Sequence, residues 1–516
     1  MKKVCNIIVF SFIFSLLFST VCYADNPIVQ TIYTADPSCM VYNDTFYVYT
    51  GHDEDTIVNN FYTMNEWKCY SSTDMVNWTD NGAPLAYNTF SWAKGDAWAA
   101  QCIYRNGKFY FYVTVTNQGG GKTIGVAVSD SPTGPFKDAL GKPLIANNGA
   151  QDIDPTVFID DDGQAYMYWG NPNPYYVKLN KDMISYSGGI VKIAQKPSGY
   201  IEGPYFYKRN NLYYLVYAGM GSSGENIQYA TSTSPTGLWT QKGIIMNSKN
   251  SFTNHPAVAD FKGNSYFVYH TGDLTGGGSY HRSVCVDQFK YNADGTIPSI
   301  PMTQTGPTQL GNLNPYVKTE AETICWESGV EAEKCSEGGM NVGNIENGDW
   351  IKIKGVDFSR GAVSFDARVA SATNGGNIEL RLDSPTGTLV GTCAVEGTGG
   401  WQTWTTKSCK VTGATGIHDL YLKFTGGSGY LFNLNWWNFN TDIKKVKYGD
   451  VDGSGDVNAI DFALMKQYIL GSITKFPSAD GIAAADVDAS GKIDPIDFAL
   501  MKKYLLGMIS KFPAET

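Results

Sequence analysis

The sequence predicts a mainly β, modular chain: a five-bladed β-propeller, then a β-sandwich (jelly-roll) module, then a small α-helical module built on paired acidic loops. Three observations carry this. A phrase of period-two strands recurs five times between residues 36 and 270. Residues 316–440 hold short alternating strands and glycine-rich turns with no helical period. Residues 449–516 contain one acidic phrase twice, each copy running into an amphipathic stretch.

At 516 residues the chain exceeds what one hydrophobic core organises, so several domains are expected. With 39 Lys+Arg against 49 Asp+Glu the net charge is -10, which leaves no basic excess to attract nucleic acid or an anionic membrane. Neither is expected as a partner. Aromatics reach 14% and charged residues only 17%, a balance suited to β-rich domains that offer aromatic faces to neutral ligands such as sugars.

The chain opens with Met1-Lys2-Lys3, an apolar run from about Ile7 to Val21, and Cys22-Tyr23-Ala24. This reads as a signal peptide over residues 1–24, so the protein is expected to be secreted and extracellular. The run is too short for a membrane span of about 20 residues. Of the remaining cysteines, Cys39, Cys69, Cys102 and Cys285 are scattered through the first domain in no zinc-site spacing. Cys325, Cys335, Cys393 and Cys409 fall in the second, where disulfides suit an exported protein but their pairing is not fixed by sequence.

The propeller is placed at residues 26–307. Its five phrases are Asp36 to Thr50, Asp96 to Thr114, Asp154 to Gly170, Glu202 to Ala218 and His255 to His270. Each alternates apolar and polar residues across a turn such as Asn43-Asp44, Asn106-Gly107, Asp162-Gly163, Asn210-Asn211 or Lys262-Gly263. In a propeller the innermost strands surround one axis, so residues opening equivalent strands converge on one funnel. Asp36, Asp154 and Glu202 open three copies, His255 a fourth, and the Asp96/Trp98 pair the fifth. Taken singly, Asp-Pro and Glu-Gly-Pro also start ordinary loops; three acids at one register of a repeat read as a site.

Asp36-Pro37, Asp154-Pro155 and Glu202-Gly203-Pro204 resemble the signature of glycoside hydrolase family 43. Phe90 to Gln101 (FSWAKGDAWAAQ), Ser251 to Pro256 (SFTNHP) and Arg282 to Phe289 (RSVCVDQF) are similar to its arabinoxylan-debranching members. The resemblance implies an inverting glycosidase with Asp36 as general base, Glu202 as general acid, and Asp154 orienting the acid and raising its pKa. Inversion sets the base and acid roughly 6.5 to 9.5 Å apart, with a water between. It also implies a hydrated calcium ion on the axis near a histidine, which makes His255 the candidate and His270 the weaker one. Arg282 is expected to clamp a sugar hydroxyl and Asp36, while Trp98 and Phe90 supply apolar walls; blade packing is the alternative for each.

In the second module, placed at 316–440, Glu320-Ala321-Glu322, Asn347-Gly348-Asp349-Trp350, Gly400-Trp401-Gln402-Thr403-Trp404 and Leu431 to Phe439 resemble carbohydrate-binding module family 6. The resemblance implies a structural calcium at Glu320 and Glu322. It makes Trp401 a stacking platform and Asn433 the hydrogen-bonding asparagine, with Glu333 nearby. Asn344 stands where the family more often has a second aromatic. Sugar binding then weakens there or moves to a face bearing Trp350 or Trp436. At least two of Trp404, Trp436 and Trp437 are expected to be core.

In the third module, placed at 445–516, each repeat opens with calcium-loop chemistry. Asp450, Asp452, Ser454, Asp456 (through its carbonyl), Asn458 and Asp461 fall at loop positions 1, 3, 5, 7, 9 and 12; Asp486, Asp488, Ser490, Lys492 (through its carbonyl), Asp494 and Asp497 repeat them. The following helices place Phe462, Met465, Ile469 and Phe498, Met501, Leu505 on matching stripes. Duplicated loops with one helix each resemble the type I dockerin of cellulosomal enzymes. That implies two structural calcium ions and a cohesin domain as partner, with Ala459-Ile460 and Pro495-Ile496 facing it. The reading is a secreted cellulosomal hydrolase acting on hemicellulose (arabinoxylan or xylan) by removing α-L-arabinofuranosyl branches. A β-xylosidase or arabinanase on the same propeller is the alternative, and a non-catalytic polysaccharide-binding subunit a further one.

Overall fold

The computed structural model describes residues 26–146, 151–222, 224–359, 361–441, 447–478 and 480–515. The expected signal peptide lies outside the described residues. Two compact units divide after Asn440. Among the described residues no helix is long and apolar enough to cross a membrane.

Five antiparallel sheets follow one another along the first unit, each opening on one copy of the repeated phrase. The hairpins form where the sequence supplies turn residues that tolerate a left-handed backbone. Asn43 and Asn106 take φ of 46° and 51°, followed by Asp44 at 58° and Gly107 at 82°, the geometry that matches the twist of paired strands. The strands opening the first, second and fourth sheets are Tyr33–Tyr42, Ala93–Arg105 and Tyr200–Arg209; those opening the third and fifth are Thr156–Ile159 and Ala257–Phe261. The ring closes through the chain start. Ile28 N–H donates to Val284 O at 2.9 Å and Thr34 N–H to Arg282 O at 2.8 Å, so the segment before the first strand lies along the outer strand of the fifth sheet.

Three of the strand openings are bulged. Pairing skips between Ala35 and Ser38 in the first sheet, between Gly95 and Trp98 in the second, and between Glu202 and Tyr205 in the fourth. At these openings Asp36, Asp96 and Gly203 take φ of 49°, 64° and 57°, and Asp154, just before the unbulged opening of the third sheet, takes 60°. A bulge re-aims the side chain beside it, and a left-handed L-residue costs roughly 1–2 kcal/mol, which the surrounding pairing must offset. The register expected for Glu202 needs correction here. Gly203 occupies the left-handed slot that Asp36 and Asp154 occupy, and Glu202 stands one residue earlier.

Residues 319–440 form two facing sheets of a sandwich. One contains Met340–Gly343, Asn433–Asn440 and Ser364–Ala370, the other Trp350–Asp357, Ile417–Gly426 and Gly376–Leu382. Between them pack Phe365, Phe424, Leu434, Trp437 and Phe439. Of the three tryptophans weighed as core only Trp437 is buried; Trp404 and Trp436 are half-exposed. The eight described cysteines carry free thiols, and Cys393 and Cys409 hydrogen-bond one another.

Propeller and sandwich lie in one compact unit. Strand Thr323–Ile324 of the sandwich pairs with Trp78–Asp80, the outer strand of the first sheet. Asn77 completes the joint: its Nδ2 donates to Lys354 O at 3.0 Å and its Oδ1 accepts Lys354 N–H at 2.8 Å. One side-chain amide thus substitutes for a strand's backbone, buried and fully paired. The Lys68–Asp80 ion pair at 3.3 Å is buried beside it.

The second unit repeats itself. Helices Ala459–Ile469 and Pro495–Leu505 each start with a reciprocal capping box, Asn458 with Asp461 and Asp494 with Asp497. Phe462 stacks on Phe498 at 4.1 Å, and Met465 and Met501 are buried. The stripe departs from expectation at its end. Leu505 is exposed, because Tyr468 and Tyr504 turn inward to stack on Phe476 and Phe512 at 4.6 and 4.5 Å.

Removing the Asn77 amide breaks its buried hydrogen bonds to Lys354 N–H, to Lys354 C=O and to Asp74 Oδ2. Asn77→Ala should therefore lower the stability of the first unit by about 2–4 kcal/mol. Urea unfolding measures this, and a loss within 0.5 kcal/mol, about what a neutral surface substitution gives, would contradict the joint.

Candidate active site and ion loops

The strand openings bring Asp36, Asp154 and Glu202 to one cavity of about 240 Å³, with Trp98, His255 and Arg282 in its walls. Arg282 organises one side. Its Nε and Nη2 donate to Asp53 at 2.9 and 2.8 Å while Nη1 donates to Asp36 Oδ1 at 2.7 Å. The face of Tyr62 covers the guanidinium at 4.4 Å. Arg282 and Asp53 are both buried, so the fork is a charge pair shielded from water. Behind Asp36, its N–H donates to His270 Nδ1 at 3.3 Å. Nδ1 is then the acceptor and Nε2 carries the hydrogen, directed at Thr253 Oγ1 at 3.2 Å. Burial holds His270 well below its ordinary pKa, with the Arg282 charge adding to the effect, so it is a neutral prop for Asp36.

The other side gathers acids. Glu202 is pushed up by burial first; the Asn171 amide, which donates to its Oε2, pulls the other way. Asp154 is pushed well above the carboxylate range by burial, then by the charges of Glu202 and Asp36. Its Oδ2 accepts Gly203 N–H at 2.9 Å and its own N–H donates to Thr114 Oγ1 at 3.0 Å. Asp154 thus holds the backbone next to Glu202. A fourth carboxyl, Glu225, hydrogen-bonds Glu202 and is pushed up to about 9, again by burial first. Chemically the cavity sets a carboxylate neutralised by a cation, Asp36, against a carboxyl biased to keep its proton, Glu202.

The remaining candidates divide. Trp98 lines the cavity under Lys122, whose Nζ stands 3.0 Å from the ring centroid. The same Lys122 pairs with Asp96 at 2.7 Å, so Asp96 is spent on a structural ion pair. Phe90 is corrected: it is fully buried and packs on Trp92 at 5.2 Å, away from the cavity. His255 lines the cavity with its Nδ1 3.1 Å from where a Cβ on residue 203 would stand, which explains the glycine there. The rim was not read from sequence. Phe61 and Phe252 are exposed, and Tyr280 packs on Tyr62 at 4.9 Å and on Phe252 at 5.6 Å. Asp53, Asn171 and Glu225 were likewise missed as parts of the site, and His270, the weaker ion candidate, stands there as the prop of Asp36.

On the sandwich, Trp401 and Asn433 line a cleft of about 470 Å³ with Glu333 and Asn344. Asn433 Nδ2 donates to Glu333 Oε1 at 2.6 Å and to Trp401 O at 3.0 Å, bracing the platform. Tyr430 supplies the second aromatic that Asn344 does not, its ring 6.5 Å from Trp401 and nearly perpendicular. Trp350 packs on Tyr421 at 5.3 Å elsewhere on the module. Glu320 pairs with Lys318 at 2.8 Å. Glu322 is buried with Oε2 unpartnered and is pushed up to about 9 by burial; a cation there would satisfy it.

In the second unit Asp450, Asp452 and Asp461 offer oxygens within 4.8 Å of one another, as do Asp486, Asp488 and Asp497. Asp450 Oδ1 is buried without a partner, which suits a divalent cation. Ser454 and Ser490 hydroxyls donate to the carbonyls of Asp456 and Lys492 at 3.3 and 3.2 Å, lining the same loops. Asn458 and Asp494 side chains cap the helices by accepting Ile460 and Ile496 N–H, each at 2.7 Å.

The family model of glycosyl hydrolases family 43 matches residues 24–297. Those of the carbohydrate binding module (family 6) and the dockerin type I domain match residues 320–441 and 448–506. An arabinoxylan arabinofuranohydrolase of Bacillus subtilis (strain 168) is 39% identical over 478 residues, 80% of this chain and 92% of that one. One of Paenibacillus polymyxa is 37% identical over 482 residues, 80% of this chain and 74% of that one. The crystal structure of a family 43 arabinoxylan arabinofuranohydrolase from Bacillus subtilis in complex with cellotetraose superposes with a TM-score of 0.72 at 36% identity, covering 81% of this chain and 97% of that one. The chain is a glycosidase that belongs to glycosyl hydrolases family 43, joined to a family 6 carbohydrate-binding module and a type I dockerin.

Proposed function

We propose that the enzyme removes α-L-arabinofuranosyl branches from arabinoxylan with inversion of configuration, as a secreted component of a scaffolded assembly. The observation that carries this is the pairing of a cation-clamped Asp36 with a half-buried, proton-retaining Glu202 across one small cavity. At about 240 Å³ that cavity lies below the roughly 300–1,000 Å³ of ordinary ligand sites. It suits one terminal sugar better than a continuous chain, and the aromatic rim of Phe61, Phe252 and Tyr280 suits the flat faces of a backbone outside it. The relatives named as arabinoxylan arabinofuranohydrolases support the same substrate.

In this reading Glu202 protonates the glycosidic oxygen while Asp36 takes a proton from the water that attacks the anomeric carbon. Arg282 orients Asp36, and Asp154 fixes the Glu202 backbone through Gly203. Trp401 and Tyr430 hold the polysaccharide on the sandwich, with Asn433 positioning Trp401. Calcium fits the two loops of the second unit, through Asp450, Asp452, Ser454, Asp456 O and Asp461 and through their repeats; bound there, it supplies the charge that ties each loop to its helix. Glu322, with Glu320, is the candidate position on the sandwich. His255 stands in the cavity with Asp36, Asp154 and Glu202, and its place in this reading is as a cavity wall. The dockerin implies a cohesin partner, and Ile460 and Ile496, exposed at the starts of the two helices, supply apolar surface for it.

Glu202→Ala should lower arabinose release from wheat arabinoxylan by roughly 10²–10⁴-fold, measured by chromatography of the products. Xylose or arabinan fragments as the main product, or undiminished release by the variant, would overturn the reading. Chelation should unfold the second unit and abolish cohesin binding while arabinose release persists; circular dichroism and a cohesin pull-down check it. Full-strength cohesin binding in chelator would contradict the ion loops.

A further inference from the structure

Glu225 has no part in the scheme above, yet it is built into the site. Its backbone is fixed at both ends: N–H donates to Phe252 O at 2.9 Å and C=O accepts Ser248 N–H at 3.2 Å. Its strand, Glu225–Ser232, pairs with Leu212–Met220, which in turn pairs with the strand carrying Glu202. The side chain is directed inward, where Oε2 accepts the buried Asn254 N–H at 3.1 Å and the carboxyl meets that of Glu202 in a hydrogen bond.

Two carboxyls in hydrogen-bond contact cannot both be charged without strong repulsion. Here the outer donors are neutral, the Asn171 amide on Glu202 and the Asn254 N–H on Glu225. The other charged or titratable groups facing the pair are Asp154, Asp36, Arg282 and His255. The acids add to the repulsion, His255 is held neutral by burial, and Arg282 is engaged by Asp53 and Asp36. The contact between the two glutamates therefore keeps a proton. We infer that Glu225 is a positioning residue for the acid: it shares one proton with Glu202 and so keeps a transferable proton at the glycosidic oxygen.

This rests on the reading of Glu202 as the acid. The shared proton moves to the glycosidic oxygen, which keeps the electron pair of the breaking C–O bond; the attacking water gives its own proton to Asp36. Repulsion within the doubly charged pair holds the proton against loss to solvent until the glycosidic oxygen takes it, and solvent returns a proton after the sugar leaves.

The test is Glu225→Gln in the full chain, with pH profiles of kcat/KM on an arabinoxylan oligosaccharide and on 4-nitrophenyl α-L-arabinofuranoside. Gln keeps the shape but puts a permanent amide donor against Glu202 in place of a repelling acid, so Glu202 loses its proton at lower pH. The alkaline limb on the oligosaccharide should move down by about one pH unit or more. The nitrophenyl leaving group departs without protonation, so its kcat/KM should change less than threefold. An unmoved limb, or equal losses on both substrates, overturns the proposal. Carboxyl ¹³C NMR of the wild type needs no variant: two glutamates titrating in linked steps are expected, and two independent single steps overturn it. A wild type inert on both substrates sinks the functional reading and the proposal with it, whereas an active wild type with an unshifted variant sinks the proposal alone.

Discussion

The buried guanidinium of Arg282 is the constraint on which the site depends. It sits at the start of the outer strand of the fifth sheet, grips Asp53 from the end of the second strand of the first sheet, and reaches Asp36 on the strand before. Two further acids, Asp154 and Glu202, line the cavity with Asp36. Without one cation held in place, folding would bring these carboxyls together against their own repulsion. Breaking a buried pair by removing one partner costs about 3–5 kcal/mol. The geometry that orients Asp36 is therefore also a geometry that holds the ring closed, since Thr34 N–H donates to the Arg282 carbonyl at that seam.

The left-handed openings convert that closure into chemistry. Asp36 and Asp154 accept an unfavourable backbone, and in exchange their side chains leave the sheet and enter the funnel. In the fourth sheet glycine takes the strained slot, since His255 leaves no room for a side chain there, and the acid moves one residue back. Asp154 then ties the two patterns together by accepting the Gly203 N–H. The sandwich contributes at the opposite edge: its strand Thr323–Ile324 covers the outer strand of the first sheet, which removes an exposed edge and fixes the sugar-binding module to the catalytic one.

Whatever repeats or alternates was legible in the sequence. The hairpins, the trio of Asp36, Asp154 and Glu202, the sandwich strands and the acidic loops all rest on local patterns of period two or on a phrase seen more than once. The one-residue offset of Glu202 was legible too, because Gly203-Pro204 aligns with Asp36-Pro37 and Asp154-Pro155, but reading the acids as the equivalent positions hid it. What the sequence did not disclose depends on contacts between sheets. Asp53 and Glu225 stand at strand ends where nothing local separates an inward side chain from an outward one. Phe90 sits in a polar-rich phrase that looked like a wall and turned into core. Tyr430 lies in a glycine-rich turn and gains meaning only beside Trp401. Asn77, which joins propeller to sandwich, is an unremarkable asparagine until Lys354 arrives from far along the chain.

The central claim is that Asp36 and Glu202 act on opposite faces of one sugar with a water between them. Proton NMR of arabinose in the first minutes of arabinoxylan digestion tests it most directly. The account predicts that the β anomer appears first and the α anomer only by later mutarotation. The α anomer appearing first would mean retention, with Asp36 or a neighbouring acid bonding covalently to the sugar, and would contradict it.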